Sequence, residues 1–465
     1  MSKELAAQNK MATMPVPKLM LNMGIPMVLS MILQAAYNIV DTAFMGAIET
    51  YAPEVGITAD NALLALTLAF PIQMLIVAVA IGTSVGVNAL LSRSLGQQDY
   101  EKTNKTAGNG IFLGIIICIC FMLFGVFGVN VYLSSQTSNG EVASIAASYI
   151  RICCIFNFGT AGFAVFEKML QATGKSTFST IAQILGALTN IILDPIMIYG
   201  LLGFPTLGVD GAAYATVIGQ AVSFLVAALF HFKKNKEVKF AWKYVKPDWN
   251  IIKEIYIIGL PAVIMQALMS FMTFGVNIIF KNVSENAVTA YGIFYKIQQF
   301  LFFAGFGLRD AITPIVSFNY GMNKKKRVKA GIKSGICYVS VIMVVGIIVL
   351  ELFAKHMTGW FSLSGETQEL CVLAIRIIAP GFLFTGLNIA LQGVYQALGC
   401  GLSSLVVSLL RLCVVVLPLA YVFTLLDNAR VMIWFAFPIA EFVAAMVAIW
   451  CYFRAKRTLI DTMES

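Results

Sequence analysis

The sequence predicts an all-α polytopic membrane protein. It would have twelve transmembrane helices in two six-helix lobes, related by a pseudo-two-fold axis along the membrane normal, with a central cleft between them. Three observations lead there. Hydrophobic residues make up 59% of the 465-residue chain and charged residues only 12%, whereas a soluble domain carries roughly 25% charged residues. Apolar runs of the length that crosses a bilayer, about 20 residues, recur along the whole chain. The two halves also repeat one another. This composition leaves too little polar surface for a soluble enzyme and too much apolar side chain for a disordered protein.

The spans follow in order at 18–46, 62–91, 107–133, 142–170, 178–202, 209–232, 253–280, 287–318, 330–354, 368–398, 402–426 and 431–453. The N-terminus is polar up to Lys18, without a signal-peptide layout. The first apolar run is too long for a cleaved segment, so it is retained as a span. Prolines such as Pro26, Pro195, Pro261, Pro314 and Pro418 fall inside or near spans. Transport helices tolerate such breaks where neighbours or water satisfy the freed carbonyls.

Charge alternates between the connections. The one after the first span holds Glu49, Glu54 and Asp60 with no Lys or Arg, and the next holds Arg93, Lys102 and Lys105. Residues 233–250 read KKNKEVKFAWKYVKPDWN, and 324–333 carry a further basic run. The odd-numbered connections together hold only Lys281, Lys355 and Arg430. Positive charge stays on the cytoplasmic side, which places both termini there. The chain divides into a tail (1–17), an N-lobe (18–232), a basic cytoplasmic linker (233–252), a C-lobe (253–454) and a second tail (455–465).

The repeat is legible residue by residue. Gly24-Ile25-Pro26 opens the first span and Gly259-Leu260-Pro261 the seventh. Beyond the first connection, one constant offset pairs Ser92 with Ser317, Gly96 with Gly321, Arg151 with Arg376, Gln171 with Gln396 and Gly174 with Gly399. Six spans per half is an even number, so both halves enter from the same side, as in parallel-repeat transporters.

The net charge of +9 is explained by the basic loops and implies no nucleic-acid partner. Nine Cys without a CxxC pair, most of them inside apolar runs, indicate neither disulfides nor zinc. His231 and His356 stand alone at helix ends. The TGKS run at 173–176 lacks the earlier Gly of a phosphate-binding loop, since Met169 occupies that position. No nucleotide is therefore expected to drive transport.

An ionisable residue in hydrocarbon needs a reason. Asp41 shares a helical face with Tyr37 and Asn38, and Asp194 stacks over Asn190 immediately before Pro195. Two carboxylates, each with an Asn on its own face, read as a proton or cation site. Val276 and Leu419 occupy the matching positions of the second half, which places the coupling site in the N-lobe. Arg151 and Arg376 read as snorkelling or helix-end contacts. Arg309 and Asp310 are adjacent, so their side chains leave the helix about 100° apart and no pairing is assumed. Glu441 either attracts cationic substrates or pairs with Arg411 or Lys296. Met265, Met269 and Met272 fall at i, i+4 and i+7, a surface that re-packs around varied ligands. With Lys296, Arg309, Asp310 and Glu441 they form the candidate substrate cleft.

The segments IPMVLSMILQAAYNIVDTAFMG (25–46), SRSLGQQD (92–99), QATGK (171–175), NIILDPIMIYG (190–200), PIVSFNYG (314–321) and QALG (396–399) resemble the multidrug and toxic compound extrusion (MATE) transporters. The likeness is to their bacterial MepA-like and DinF-like branches and spans about residues 15–455. It implies secondary active efflux of cationic or amphipathic compounds, by exchange with protons or sodium through alternating access. It implies no cofactor, no enzymatic activity, and a monomer in the bacterial plasma membrane. By motif match the ion-coupling cluster comprises Asp41, Asn190 and Asp194, with Tyr37 and the looser matches Asn157 and Thr216. Pro26 matches the proline at which the first helix bends in relatives. A sodium ion would use Asp41, Asn190, Asp194 and Thr216. Asp310 beside Arg309 departs from the family pattern. A flippase of lipid-linked saccharides, or an exporter of one metabolite, is the alternative from the same superfamily.

Overall fold

The computed structural model describes residues 9–137, 139–360 and 365–463; residues 1–8 of the expected first tail and the side chain of Asn38 lie outside the described residues. Its spans are α1 (Val16–Gly46), α2 (Ala59–Gly96), α3 (Tyr100–Ser134), α4, α5 (Ser176–Tyr199), α6 (Val209–Lys234), α7 (Trp249–Lys281), α8 (Glu285–Gly321), α9 (Lys325–Gly359), α10 (Gly365–Leu398), α11 (Gly401–Thr424) and α12 (Ala429–Ile460). The span α4 consists of two halves, Gly140–Ile155 and Phe158–Ala172, bent by 43°. The order and number agree with the sequence expectation.

Local chemistry sets the boundaries. Thr58, Asp99, Asn139, Asp248 and Ser284 each accept a bond from an N–H in the first turn of the helix that follows, which satisfies donors a helix start leaves unpaired. No proline makes the bend in α4. There the Asn157 amide donates to the Cys154 carbonyl at 2.5 Å and to the Cys118 carbonyl of α3 at 3.1 Å. In α11 the chain widens into a π turn at Leu410–Val414, upstream of Pro418, which lacks an N–H to donate.

The spans α1–α6 form one lobe and α7–α12 the other. The backbone carries the repeat. Gly174 and Gly399 both adopt positive φ, +82° and +81°, a conformation that favours Gly after a helix end. Behind them the N–H of Lys175 donates to the Leu170 carbonyl and that of Cys400 to the Tyr395 carbonyl, both at 2.7 Å. The non-glycine residues Gln98 and Asn323, also matched by the offset, share the left-handed conformation, φ 60° and 56°.

The first two helices of each lobe meet those of the other: α1 packs on α8, α2 on α7 and α8. These contacts gather in the half of the molecule nearest the basic linker. Ser317 Oγ donates to the Ala89 carbonyl at 2.7 Å, and the Arg93 guanidinium lies 4.9 Å from the Tyr320 ring centre. At Gly86 the Ile255 backbone of α7 comes so close that a side chain would collide with it. The lobes are thus sealed at this basic end. The linker is pinned to the N-lobe: Asn104 and Asn109 of α3 accept the N–H groups of Lys239 and Asp248, both at 2.8 Å, and Glu237 pairs with Lys175.

Candidate functional site: N-lobe carboxylates and a C-lobe cavity

The spans α1 and α5 lie side by side and are joined along their length by polar pairs. Ser30 Oγ donates to Thr180 Oγ1 at 3.0 Å, and Gln183 Nε2 to Gln34 Oε1 at 3.3 Å. Two turns beyond Gln34, Asp41 meets Asp194, their carboxyl groups within hydrogen-bonding reach of each other. Asp194 is fully buried and Asn190 nearly so; Asn190 Nδ2 donates to Asp194 Oδ1 at 3.3 Å. Asp41 is half-buried. Asp41 Oδ1, Asp194 Oδ2 and Asn190 Oδ1 are shielded from solvent and have no donor among the described residues. Ionised carboxylates only accept hydrogen bonds, so a pair set face to face is held by a shared proton or a cation.

Tyr37 lies within electrostatic range of Asp41, and Tyr149 of α4 within range of both acids. Gln73 of α2 donates to the Tyr149 hydroxyl at 3.0 Å. Tyr149 and Gln73 were missed in the sequence; the available signal was an amide and a phenol inside apolar runs. Of the looser matches, Asn157 spends its amide on the α4 bend. Thr216 sits half-buried on α6, one turn before Gly219, whose backbone packs on Asn190.

The second feature is a cavity lined by C-lobe residues alone. Met265, Met269 and Met272 of α7 form one wall, and Phe302, Phe303, Phe306 and Arg309 of α8 another. Gln392, Arg411, Phe437 and Glu441 come from α10, α11 and α12. The π turn of α11 carries Arg411, whose Nη2 lies 2.6 Å from Glu441 Oε1. Asn388 Nδ2 donates to the other Glu441 oxygen at 2.8 Å. Of the two readings of Glu441, it is the pairing with Arg411 that the structure contains.

Two expected cleft residues lie elsewhere. Lys296 is exposed on α8 and is not on the cavity wall. Asp310 sits behind the wall, buried. The pairing that the sequence left open is present: Arg309 curls back to Asp310, Nη2 to Oδ1 at 2.9 Å. The length of the guanidinium arm overcomes the 100° between neighbouring helix positions. The other Asp310 oxygen pairs across the lobe boundary with Lys168 of α4 at 2.5 Å. Lys168 and Glu167, both buried, were overlooked in the sequence because EKMLQATGK (167–175) reads as a helix end at the interface.

Two homologous helical lobes, sealed at one end, with acids buried in one and a cavity in the other, define a two-lobed membrane transporter. The MatE family model matches residues 26–196 and 261–422, and the chain belongs to that family, whose members are transporters and not enzymes. It is 27% identical to the multidrug export protein MepA of Staphylococcus aureus, over 97% of this chain and 96% of that protein. The likeness to MepA of Staphylococcus haemolyticus is also 27%, over 95% and 94%. Among solved structures, an outward-facing multidrug resistance MATE family transporter of the MOP superfamily superimposes with a TM-score of 0.88 at 26% identity, covering 98% of each chain. A MOP superfamily transporter from Pyrococcus furiosus, described as having a binding pocket of reversed polarity, does so with 0.83 at 25% identity over 97% of each.

Proposed function

We propose that this protein exports amphipathic small molecules, cations among them, across the bacterial plasma membrane by antiport with protons, both termini facing the cytoplasm. The observation that carries the reading is the Asp41–Asp194 pair, in which one buried oxygen of each carboxyl group has no donor among the described residues. A proton shared by the two carboxyl groups satisfies that geometry directly. Two facing carboxylates without one repel each other in a medium where charge is poorly screened. Loading a proton from outside closes the α1–α5 seam around the pair. Losing it to the cytoplasm restores the repulsion and the form that binds substrate. Pro26 lies in α1 one turn before the seam's first polar pair, Ser30–Thr180, and supplies the helix with a place to bend.

The C-lobe cavity suits such substrates because methionines and phenylalanines adapt to varied apolar shapes. The full pair of lobes is present in one chain, so a monomer suffices for alternating access. One proton entering at about 100 mV supplies roughly 2.3 kcal/mol, and each pH unit roughly 1.4 kcal/mol. A hundredfold gradient of a neutral compound costs about 2.7 kcal/mol, within reach of a single proton. The test is ethidium transport in membrane vesicles under imposed pH and sodium gradients, with Asp41→Asn and Asp194→Asn alongside. Transport driven by pH and lost in both variants supports the reading. Transport driven by sodium alone replaces the ion. The absence of drug transport under either gradient points to another substrate, lipid-linked saccharides first.

A further inference from the structure

We propose that Glu167, Lys168, Arg309 and Asp310 form a partner-exchanging latch that holds the lobes together at the basic end and opens once per transport cycle. The inference rests on the alternating-access reading above. Lys168, one turn from the end of α4, reaches out of the N-lobe to Asp310 on α8, Nζ to Oδ2 at 2.5 Å, with the two side chains only 1% and 5% exposed. A buried ion pair adds little stability over an apolar pair of similar volume, so packing alone is a poor account of it.

Each partner has a second, opposite charge inside its own lobe. Glu167 lies 4.0 Å from Lys168. Gln171 bridges the two, accepting from Lys168 Nζ at 2.9 Å and donating to Glu167 Oε1 at 2.9 Å. In the C-lobe, Arg309 gives Nε and Nη2 to Asp310 Oδ1 at 3.1 and 2.9 Å. Every lobe therefore holds one positive and one negative member. When the lobes part, Lys168 falls back on Glu167 and Asp310 on Arg309, so no buried charge is stranded. A plain two-residue bridge would leave one uncompensated charge on each side, which is strongly unfavourable. The repeat does not duplicate the device: Gly393 and Val85 occupy the positions matching Lys168 and Asp310. Arg309 also lines the cavity, its guanidinium 4.8 Å from the Phe306 ring centre, so one latch member is within reach of a bound substrate.

The test measures lobe separation directly. Spin labels carried by non-natural amino acids at the exposed positions Glu101 and Lys326 report the distance across the basic end in purified protein, and need no substrate. Failure of the efflux reading is thus scored separately, by ethidium transport in the wild type. Glu167→Gln keeps both the Lys168–Asp310 bridge and an acceptor for Gln171 but removes the N-lobe fallback charge. The parted population is expected to fall about tenfold in this variant, with the melting temperature little changed. The double variant Lys168→Asp with Asp310→Lys rebuilds the bridge in reverse but puts like charges beside Glu167 and Arg309. It is expected to stay closed. An unchanged distance distribution in Glu167→Gln, or wild-type separation in the reversed pair, would overturn the latch; if the reversed pair does not fold, Glu167→Gln alone decides.

Discussion

At the scale of the residue, the weight falls on groups that water cannot reach. Asp41→Asn keeps the shape and polarity of the side chain but removes the exchangeable proton. It is expected to reduce proton-coupled export at least about tenfold, at wild-type expression and melting temperature. Arg411→Ala has a different consequence. It leaves Glu441 with the Asn388 amide as its remaining polar partner, in a site where stranding one charge of a buried pair costs about 3–5 kcal/mol. Thermal unfolding in detergent should show a lower melting temperature, recovered in part by Glu441→Gln. Asp41, Asn190 and Asp194 were legible in the sequence because an acid inside an apolar run is expensive. Lys168 and Glu167 were not, because a charge one turn from a helix end reads as interfacial until the other lobe covers it. Likewise, the pairing of Arg309 with Asp310 depends on how an arginine arm folds back, which helical phase does not encode.

At the scale of the element, the spans were legible because hydrophobic length is a property of the chain alone. What the sequence does not encode is how single spans depart from a straight helix. The bend in α4 is made by an asparagine bonding sideways to carbonyls, and the turn that presents Arg411 by one residue of extra winding. Both depend on a neighbouring helix being in place. The repeated turns after α4 and α10 were legible as a matched Gly pair, and their geometry makes a prediction. Gly174→Ala forces a Cβ into the left-handed region, costing about 1–2 kcal/mol, with the Met11 side chain close to the added carbon. The melting temperature should fall, whereas export per folded molecule should change little.

At the scale of the whole molecule, a duplicated fold has been given unequal halves. The paired acids Asp41 and Asp194 lie in the N-lobe and the Met- and Phe-lined cavity in the C-lobe; under the proposed antiport, ion and substrate would communicate through the lobe interface. That interface is closed at the basic end, where Ser317 bonds the Ala89 carbonyl and Arg93 covers the Tyr320 ring. The repeat and the two-lobe plan could be read from matched residues. The division of labour was half visible: the loss of both acids from the second half was legible, but the enclosure of the cavity by five C-lobe helices needed the folded molecule.

The most direct test of the central claim is ethidium uptake into inverted membrane vesicles with an acidic lumen, wild type beside Asp41→Asn at equal protein level. The account predicts that the pH gradient alone drives uptake in the wild type and that Asp41→Asn abolishes it. Uptake by Asp41→Asn at the wild-type rate, or wild-type uptake that follows a sodium gradient and ignores pH, would contradict it.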